Sequence, residues 1–237
     1  MKELSEGARA FGIALSDDQI RMFQAYYEML VAWNARTNLT TIIDRRDVQT
    51  KHFLDSLACL AALEGDIVNL RLVDLGSGAG FPGLPLRIAC PALRLTLVEA
   101  AGKKTAFLEA VTRQLGLSGV TVVRARAEEA GHDPAHRETY DLAVVRAVAA
   151  MPVLAELALP FVRLGGWLVA QKGDDPAAEV EAAQSAMRTL GGRLHRVLEV
   201  TVPGLDAARH LVVVEKVAPT PARYPRRPGM PAKRPLG

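Results

Sequence analysis

Cysteine is scarce in this sequence. The 237 residues include only Cys59 and Cys90, and both lie in apolar stretches with helical spacing. Two cysteines are too few for a disulfide framework or a cysteine-rich zinc site. We therefore expect a reducing, cytoplasmic environment and no bound metal.

Long apolar runs are also missing. No run approaches the roughly 18 apolar residues that a membrane-spanning helix requires. Residues 1–7 (MKELSEG) have neither the basic nor the apolar region of a secretion signal. We expect a soluble protein without membrane contact. Nothing in the sequence is similar to a dimerisation helix or a coiled coil, so we expect a monomer.

Aromatic residues make up 5% of the chain, which argues against an extended base-stacking platform for nucleic acid. The net charge is only +3, yet the segment after residue 216 has basic residues and no acidic one. The basic residues are Arg223, Arg226, Arg227, Lys233 and Arg234. Such a segment can bind the phosphates of a polyanion, or it can be a disordered solubilising tail.

Three regions follow one another along the chain. Residues 1–68 form a helical extension, with a capping box of Ser16 and Gln19 before one helix and a second helix over 46–63 that ends before Gly65. Residues 69–216 are the main domain, and residues 217–237 are a basic, proline-rich tail. The last 20 residues contain six prolines, which predicts an extended strap without regular structure.

The main domain has the pattern of a parallel α/β sheet. Predicted strands cover residues 71–75, 94–99, 120–124, 141–145, 166–172, 197–202 and 210–216. Predicted helices cover residues 84–89, 103–115, 149–163 and 177–190. Only a short loop with Pro203 and Gly204 joins the last two strands, so these strands should be antiparallel. The expected fold is a Rossmann-like mixed sheet, mostly parallel with one antiparallel strand.

A glycine-rich loop covers residues 73–83 (VDLGSGAGFPG), between a predicted strand and a predicted helix. Gly76, Gly78 and Gly80 allow positive φ angles and let a ligand lie against the backbone. Pro82 suits the first turn of the helix. The helix N-terminus should then offer free N–H groups to a phosphate or a carboxylate.

Two classes of enzyme fit this loop. Residues 78–83 match the G-x-G-x-x-G pattern of dinucleotide-binding folds. In either class Glu99, at the end of the next strand, can bind both hydroxyls of an adenosine ribose. Three features favour S-adenosylmethionine over a nicotinamide dinucleotide: Asp74 just before the glycines, the helical region before the sheet, and the final antiparallel pair.

Further segments extend the pattern over nearly the whole chain. They are 33–40 (WNARTNLT), 52–57 (HFLDSL), 102–108 (GKKTAFL), 146–149 (RAVA), 172–173 (KG) and 224–236 (YPRRPGMPAKRPL). With the glycine loop, their order and spacing resemble the RsmG/GidB family of bacterial guanine-N7 ribosomal RNA methyltransferases. The resemblance implies a class I S-adenosylmethionine-dependent methyltransferase fold and a substrate in 16S ribosomal RNA or the small ribosomal subunit.

The resemblance also implies where the methyl donor binds. The residues that it implies are Gly76, Phe81, Ala127, Glu128 and Arg146. The loop pattern itself adds Gly78 and Glu99. Arg146 would bind the methionine carboxylate or reach toward the nucleotide, and it is our candidate for positioning, since no other catalytic side chain is identified. From the residues alone, Glu128 and Glu129 can equally be the acidic first turn of a helix.

Guanine N7 as the methyl acceptor is consistent with the absence of motifs that other classes of methyltransferase require. Guanine N7 has an in-plane lone pair, so no proton must be removed and positioning should supply most of the rate. Residues 144–149 (VVRAVA) lack the Asn/Asp-Pro-Pro-aromatic motif of amino-group methyltransferases. Neither cysteine lies where cytosine-C5 chemistry is staged. His52, Asp55 and Ser56 are interpreted as a helix cap or packing cluster without a catalytic role.

The target guanine must be unstacked, which favours a loop of small-subunit RNA. Our candidates for RNA binding are Lys103, Lys104, Arg124, Arg126, Lys172, Arg226, Arg227 and Lys233. We expect the tail, anchored by Tyr224, to fold over the cleft or to clamp RNA. The alternatives are a methyltransferase that acts on another acceptor, and a non-catalytic module that binds an adenosine ligand and docks on RNA.

Overall fold

A seven-stranded sheet forms the centre of the protein. The computed structural model describes residues 1–63, 69–146, 149–173 and 175–237. Across the sheet the strands follow the order β3-β2-β1-β4-β5-β7-β6. Their bounds are β1 Arg71–Leu75, β2 Arg94–Glu99, β3 Val120–Arg124, β4 Tyr140–Arg146, β5 Val162–Lys172, β6 Gly192–Val200 and β7 Arg209–Lys216.

One strand runs against the others. Strands β1 to β5 pair in parallel, whereas β7 is antiparallel to both of its neighbours, β5 and β6. The connection over residues 201–208 is too short for the crossover that a parallel pair requires. The predicted fold class and the predicted antiparallel pairing of the last two strands are therefore confirmed.

Helices cover both faces of the sheet. Their bounds are α1 Lys2–Ala10, α2 Asp17–Thr37, α3 Arg45–Asp47, α4 Asp55–Leu57, α5 Gly83–Ala89, α6 Gly102–Gln114, α7 Ala127–Ala130, α8 Met151–Ala158, α9 Ala177–Thr189 and α10 Met230–Lys233. A π-helix, Val48–Leu54, joins α3 to α4, and a 3₁₀ turn, Ala58–Ala62, follows α4. Within the described ranges, no helix combines the length and the apolar character needed to cross a membrane.

The N-terminal helices agree with their predicted positions. The capping box is present, because the Gln19 N–H donates to Ser16 Oγ at 3.2 Å and the Ser16 N–H donates to Gln19 Oε1 at 2.8 Å. The helix predicted over 46–63 occupies that stretch, but its winding passes through π and 3₁₀ geometry. Gly65 and the predicted domain boundary at residue 68 lie outside the described residues.

Two hydrophobic clusters, one on each face of the sheet, form the core. Successive strand residues alternate between them, so Leu72 belongs to the first and Val73 to the second. The first cluster includes Phe23, Tyr26 and Phe53 of the N-terminal region. The N-terminal helices therefore pack directly on the sheet and share its core.

Two local predictions need correction. The tail is not free of regular structure, because α10 forms there; Pro231 is its second residue, where the missing N–H has no helical acceptor to lose. The helix predicted over 149–163 is too long, since α8 ends at Ala158 and β5 begins at Val162. Pro160 has no N–H to continue the helical hydrogen bonding, and a 3₁₀ turn, Leu159–Phe161, separates α8 from β5.

Candidate functional site

The glycine-rich loop follows β1 at the carboxyl edge of the parallel strands. Gly76, Gly78 and Gly80 have φ angles of 69°, 59° and 97°, in the left-handed region that favours glycine. A Cβ on Gly80 would lie 2.6 Å from the Tyr26 hydroxyl oxygen. The sequence pattern therefore reports a real backbone requirement, and Gly80 also lets helix α2 approach the loop.

Five N–H groups of this loop, those of Gly76, Ser77, Gly78, Gly80 and Phe81, are already paired within the protein. Those of Gly76 and Ser77 donate to the Val98 carbonyl, and those of Gly80 and Phe81 donate to the Ser77 carbonyl. At the start of α5, the Gly83 N–H donates to Asp74 Oδ2 at 2.9 Å, and the Leu84 N–H donates to the Gly80 carbonyl. The expectation of free N–H groups at this helix end is therefore wrong, and Pro82 precedes the helix as its N-cap. Asp74 acts as the acceptor at this position.

Asp74 is completely buried, and its second oxygen is distinctive. Oδ1 has no hydrogen-bond partner within the part of the chain that the structure describes. Burial raises the pKa of Asp74 to about 7, although the Gly83 N–H and the Arg146 charge both act to lower it. The loop thus holds a desolvated carboxyl group with one unused acceptor atom.

Glu99, at the end of β2, fastens the loop to the next strand. Its Oε2 accepts from the Gly78 N–H at 2.9 Å, and its Oε1 accepts from the Ala101 N–H at 2.8 Å. Only 8% of Glu99 is exposed. Each carboxylate oxygen retains a free lone pair, so the group can accept two further hydrogen bonds from a ligand diol.

A cavity of about 280 Å³ lies beside Glu99. Its polar wall combines the backbone of the loop with the residues after β2 and β3, and its apolar wall comes from β4 and α8. The lining includes Gly76, Val98, Glu99, Arg126, Ala127, Glu128, Val145, Val153, Leu154 and Leu157. Four predicted donor-binding residues, Gly76, Glu99, Ala127 and Glu128, are thus brought together around one cavity.

The C-terminal tail closes this cavity on one side. Gly229 and Ala232 line it, and the Gly229 N–H donates to Glu128 Oε1 at 2.9 Å. Glu128 also lies in the acidic first turn of α7. Its two alternative interpretations from the sequence are therefore both compatible with its position.

The tail is fixed by an ion pair and by a buried ring. Arg226 binds both carboxylate oxygens of Glu156, at 2.6 Å for the Nη2 to Oε2 distance, and the Glu156 side chain is fully buried. Tyr224 is 6% exposed and packs in the second hydrophobic cluster. Tyr224 therefore anchors the tail as the sequence predicts, but the partly exposed Arg226 guanidinium is held by the buried Glu156 carboxylate.

Phe81 and Arg146 lie together on the other side of the loop. The Phe81 ring stacks on His52 with 4.4 Å between ring centroids, and the Arg146 guanidinium lies 5.2 Å from the Phe81 centroid. Burial, with the nearby Arg146 charge, lowers the pKa of His52 to about 4. Gly78, Phe81 and Arg146 are not among the described residues that line the cavity.

Asp55 connects this cluster to a residue that the sequence did not single out. Its Oδ2 accepts from Arg146 Nη1 at 2.8 Å, and its Oδ1 accepts from Arg209 Nε at 2.6 Å. Asp55 and Arg209 are 154 positions apart. No local pattern marks Arg209, because it reaches the site only through the reversed direction of β7.

The predicted RNA-binding residues fall into two groups. Lys103, Arg124, Arg126, Arg227 and Lys233 are exposed, and Lys104 is partly exposed. Lys172 and Arg226 instead have carboxylate partners, Glu179 at 2.6 Å and Glu156. The Arg124 guanidinium lies over Gly102 at the start of α6, beside Lys103 and Lys104, so three cations are gathered at the rim of the site.

The fold agrees with that of a solved methyltransferase. The structure of an S-adenosylmethionine-dependent methyltransferase from Aquifex aeolicus superposes on this one with a TM-score of 0.52 and 18% sequence identity. The superposition covers 73% of this chain and 94% of the Aquifex chain. At this level of identity the similarity supports the fold alone.

Comparison of the sequence is more specific. The family model GidB, described as rRNA small subunit methyltransferase G, matches residues 19–212. Two curated relatives with the name ribosomal RNA small subunit methyltransferase G match over the full length of both chains. They come from Dehalococcoides mccartyi, at 49% identity, and from Roseiflexus castenholzii, at 51%. The chain therefore belongs to the GidB family of rRNA small subunit methyltransferases.

Proposed function

We propose that this protein transfers a methyl group from S-adenosylmethionine to N7 of a guanine in 16S ribosomal RNA. The observation that carries the proposal is the cavity at the carboxyl edge of the sheet, with Glu99 on its polar wall and α8 on its apolar wall. Membership of the GidB family supports the reaction and the class of RNA. The N7 position follows from the family.

The cavity residues fit an adenosine group. Glu99 presents two acceptor oxygens to the ribose hydroxyls, and Ala127 and Glu128 begin a helix where the backbone can contact the adenine edge. Val98 and Leu154 supply flat apolar contact for the ring system. The donor supplies an electrophilic methyl group on a sulfonium ion.

The state of the loop N–H groups favours this donor over a dinucleotide. Phosphate-binding loops direct backbone N–H groups and a helix N-terminus toward the ligand. Here the N–H groups of Gly76, Gly78, Gly80 and Gly83 all have acceptors within the protein. S-adenosylmethionine carries no phosphate, so this loop suits it. The unused Oδ1 of Asp74 is an acceptor suited to the positive charge of the methionine portion.

The acceptor side offers positioning, and its titratable groups are unsuited to removing a proton. His52 is partly buried with a pKa near 4, and its Nε2 lies 2.9 Å from Thr40 Oγ1. Asp55 is held by Arg146 and Arg209. Guanine N7 attacks with a lone pair and has no proton to lose, so these occupied groups suit that nucleophile.

Exposed cations provide the RNA contacts. We assign phosphate binding first to Arg126, which lines the cavity, and to Lys103, Lys104 and Arg124, which lie together at the start of α6. Arg227 and Lys233 of the tail extend this surface. Lys172 and Arg226 are assigned to structural ion pairs with Glu179 and Glu156. The partner in this proposal is small-subunit RNA in an accessible, unstacked loop.

The test is incubation with radiolabelled S-adenosylmethionine and undermodified small-subunit RNA, followed by borohydride and aniline cleavage at N7-methylguanine. We expect label in the RNA and one cleavage site. RNA with 7-deazaguanine at that site is the control, because it retains the base but lacks the N7 atom, and it should accept no label. Donor binding without transfer to any RNA would overturn the proposal, as would transfer to the deaza RNA.

A further inference from the structure

Asp55 is a buried carboxylate between two arginines from distant strands. Its side chain is 6% exposed, whereas those of Arg146 and Arg209 are 14% and 20% exposed. Arg146 ends β4, and Arg209 begins β7. Because β7 is antiparallel to β5, its first residue lies at the same sheet edge as the last residue of β4. One carboxylate therefore holds two guanidinium groups at the carboxyl edge of the sheet.

The charges in this group do not cancel. Asp55 supplies one negative charge against two positive ones, and His52 is neutral near pH 7 because burial and Arg146 lower its pKa to about 4. The neighbouring Lys172 is paired with Glu179. Asp74, on which the Arg146 charge also acts, has a pKa of about 7 and therefore offsets this excess only in part near neutral pH. An incoming anion would stabilise the positive charge that remains.

Arg209 also retains unused donor capacity. Its Nε donates to Asp55, and its Nη1 donates to the carbonyls of Ala207 and Ala208 at 3.3 and 3.4 Å. Its Nη2 makes no hydrogen bond to any residue in the described ranges. The guanidinium is thus oriented by the protein while one nitrogen stays available to a ligand.

The sheet order separates Arg209 from the donor cavity. That cavity is built at the ends of β1, β2, β3 and β4. Arg209 lies two strands beyond β4, at about 10 Å for the usual spacing of neighbouring strands. Arg209 therefore lies outside the donor cavity at the same edge of the sheet, where it is free to contact a second substrate.

Resting on the proposed function, we propose that Arg209 binds a backbone phosphate of the target nucleotide and that Asp55 is a positioning residue that orients Arg209 and Arg146 together. The ligand class is an RNA phosphate. The methionine carboxylate is the other anion at this edge, and the experiment below separates the two. In this scheme Asp55 contacts neither substrate, and Arg209 fixes the nucleotide whose base reaches the methyl group.

The test compares Arg209→Ala and Arg209→Lys with Arg193→Ala, which removes an exposed arginine paired with Glu215 on β7. For Arg209→Ala we expect the KM for RNA to rise roughly tenfold, as for a lost charged hydrogen bond. The Kd for S-adenosylmethionine should remain unchanged, whereas the thermal midpoint should fall by a few degrees because the buried Asp55 keeps only Arg146 as a charged partner among the described residues. Lysine should restore part of the loss, and the Arg193 variant should match the wild type.

RNA with a neutral methylphosphonate at single positions around the target guanine completes the design. At one position the substitution should weaken the wild type but add no further loss to Arg209→Ala. An equal loss for both proteins at every position would overturn the assignment, as would a weaker Kd for S-adenosylmethionine. Failure of the wild type to methylate any RNA would instead overturn the proposed function.

Asp55→Asn provides a second readout. We expect it to lower kcat and raise the KM for RNA together, because both arginines lose their orientation. If this variant is too unstable to assay, the Arg209 series and the methylphosphonate RNA still decide the question. Retention of full activity by a folded Asp55→Asn protein would overturn the positioning role.

Discussion

The backbone N–H of Gly229 donates to Oε1 of Glu128 at 2.9 Å, which ties the C-terminal tail to the helix beside the cavity. Glu128 therefore has two neighbours, the tail on one side and the cavity on the other. We infer that the tail holds this wall of the donor site in place. The basic tail therefore has a structural function beside the RNA contact that we propose for its exposed cations.

The first prediction concerns Glu128. Glu128→Ala should weaken binding of S-adenosylmethionine about tenfold, because a charged acceptor is lost and Gly229 is released from the cavity wall. The measurement is calorimetric titration. Glu129→Ala is the matched control and should change the affinity little. The exposed Glu129 side chain accepts from the Arg126 N–H at 3.2 Å and from no other donor among the described residues. Equal losses in the two variants would contradict the role given to the tail.

The second prediction concerns the ion pair of Arg226 and Glu156. Arg226→Ala should lower the free energy of unfolding by about 3 kcal/mol, because it leaves the fully buried Glu156 carboxylate without its partner. Urea denaturation measures the change. Arg227→Ala replaces the next residue, whose side chain is exposed, and should lower the free energy of unfolding by less than about 0.5 kcal/mol. A similar stability for both variants would mean that the tail is not held by this pair.

The strand pattern could be predicted closely from the sequence, for a physical reason. Strands β1, β2 and β3 have the predicted bounds, since each is a short, largely apolar run between turn signals. The sequence placed the start of β6 five residues too late, because exposed residues of this strand alternate with half-buried ones and its first half contains the polar residues Arg193, His195 and Arg196. A half-exposed strand near the edge of a sheet carries a weaker hydrophobic signal.

The site was predictable only in part. Residues 73–83 and Glu99 were found because the loop and the acid are local features of a strand-to-helix connection. The contact between Asp55 and Arg209 was not predicted, because it depends on which strands become neighbours in the sheet. Arg226 was assigned to RNA because the tail looked uniformly basic. Its buried partner had a signal, however: Glu156 is a lone acid in the otherwise apolar helix α8.

The third prediction concerns Asp74 and pH. Its pKa is raised to about 7 by burial, so the folded protein retains a proton that the unfolded chain has released. This contribution to stability is therefore present at low pH and is lost as the pH rises toward 7. Asp74→Asn removes the titration. The free energy of unfolding of Asp74→Asn, minus that of the wild type, should therefore increase from pH 5 to pH 8.

Urea denaturation at several pH values measures this difference. Asp17→Asn, which replaces an exposed carboxylate in the first turn of α2, is the control, and its difference from the wild type should stay constant over the same range. If the Asp74→Asn difference also stays constant, the carboxyl group is ionised throughout and the unused Oδ1 has a partner in solution.

The fourth prediction separates backbone strain from ligand contact. Gly76 and Gly116 have similar φ angles, 69° and 61°, so aspartate at either position costs a comparable amount of stability, on the order of 1 kcal/mol. Of these two glycines, Gly76 lines the cavity and Gly116 is not among the described lining residues. Gly76→Asp should abolish binding of S-adenosylmethionine in calorimetry, and Gly116→Asp should preserve it. Loss of binding in both would point to a general effect on the fold.

The last prediction concerns Lys103, an exposed cation at the start of α6. Because cations are unfavourable at the positive end of a helix dipole, a cluster of Lys103, Lys104 and Arg124 there needs an anion to balance it. Lys103→Ala should weaken RNA binding and reduce the slope of log K against log salt by about 0.7 to 0.9, the effect of one lost phosphate contact. Donor affinity should not change. Lys2→Ala replaces an exposed lysine of α1 and is the control, which should leave the slope unchanged. If Lys103→Ala weakened donor binding as much as RNA binding, the division between the RNA surface and the donor cavity would be refuted.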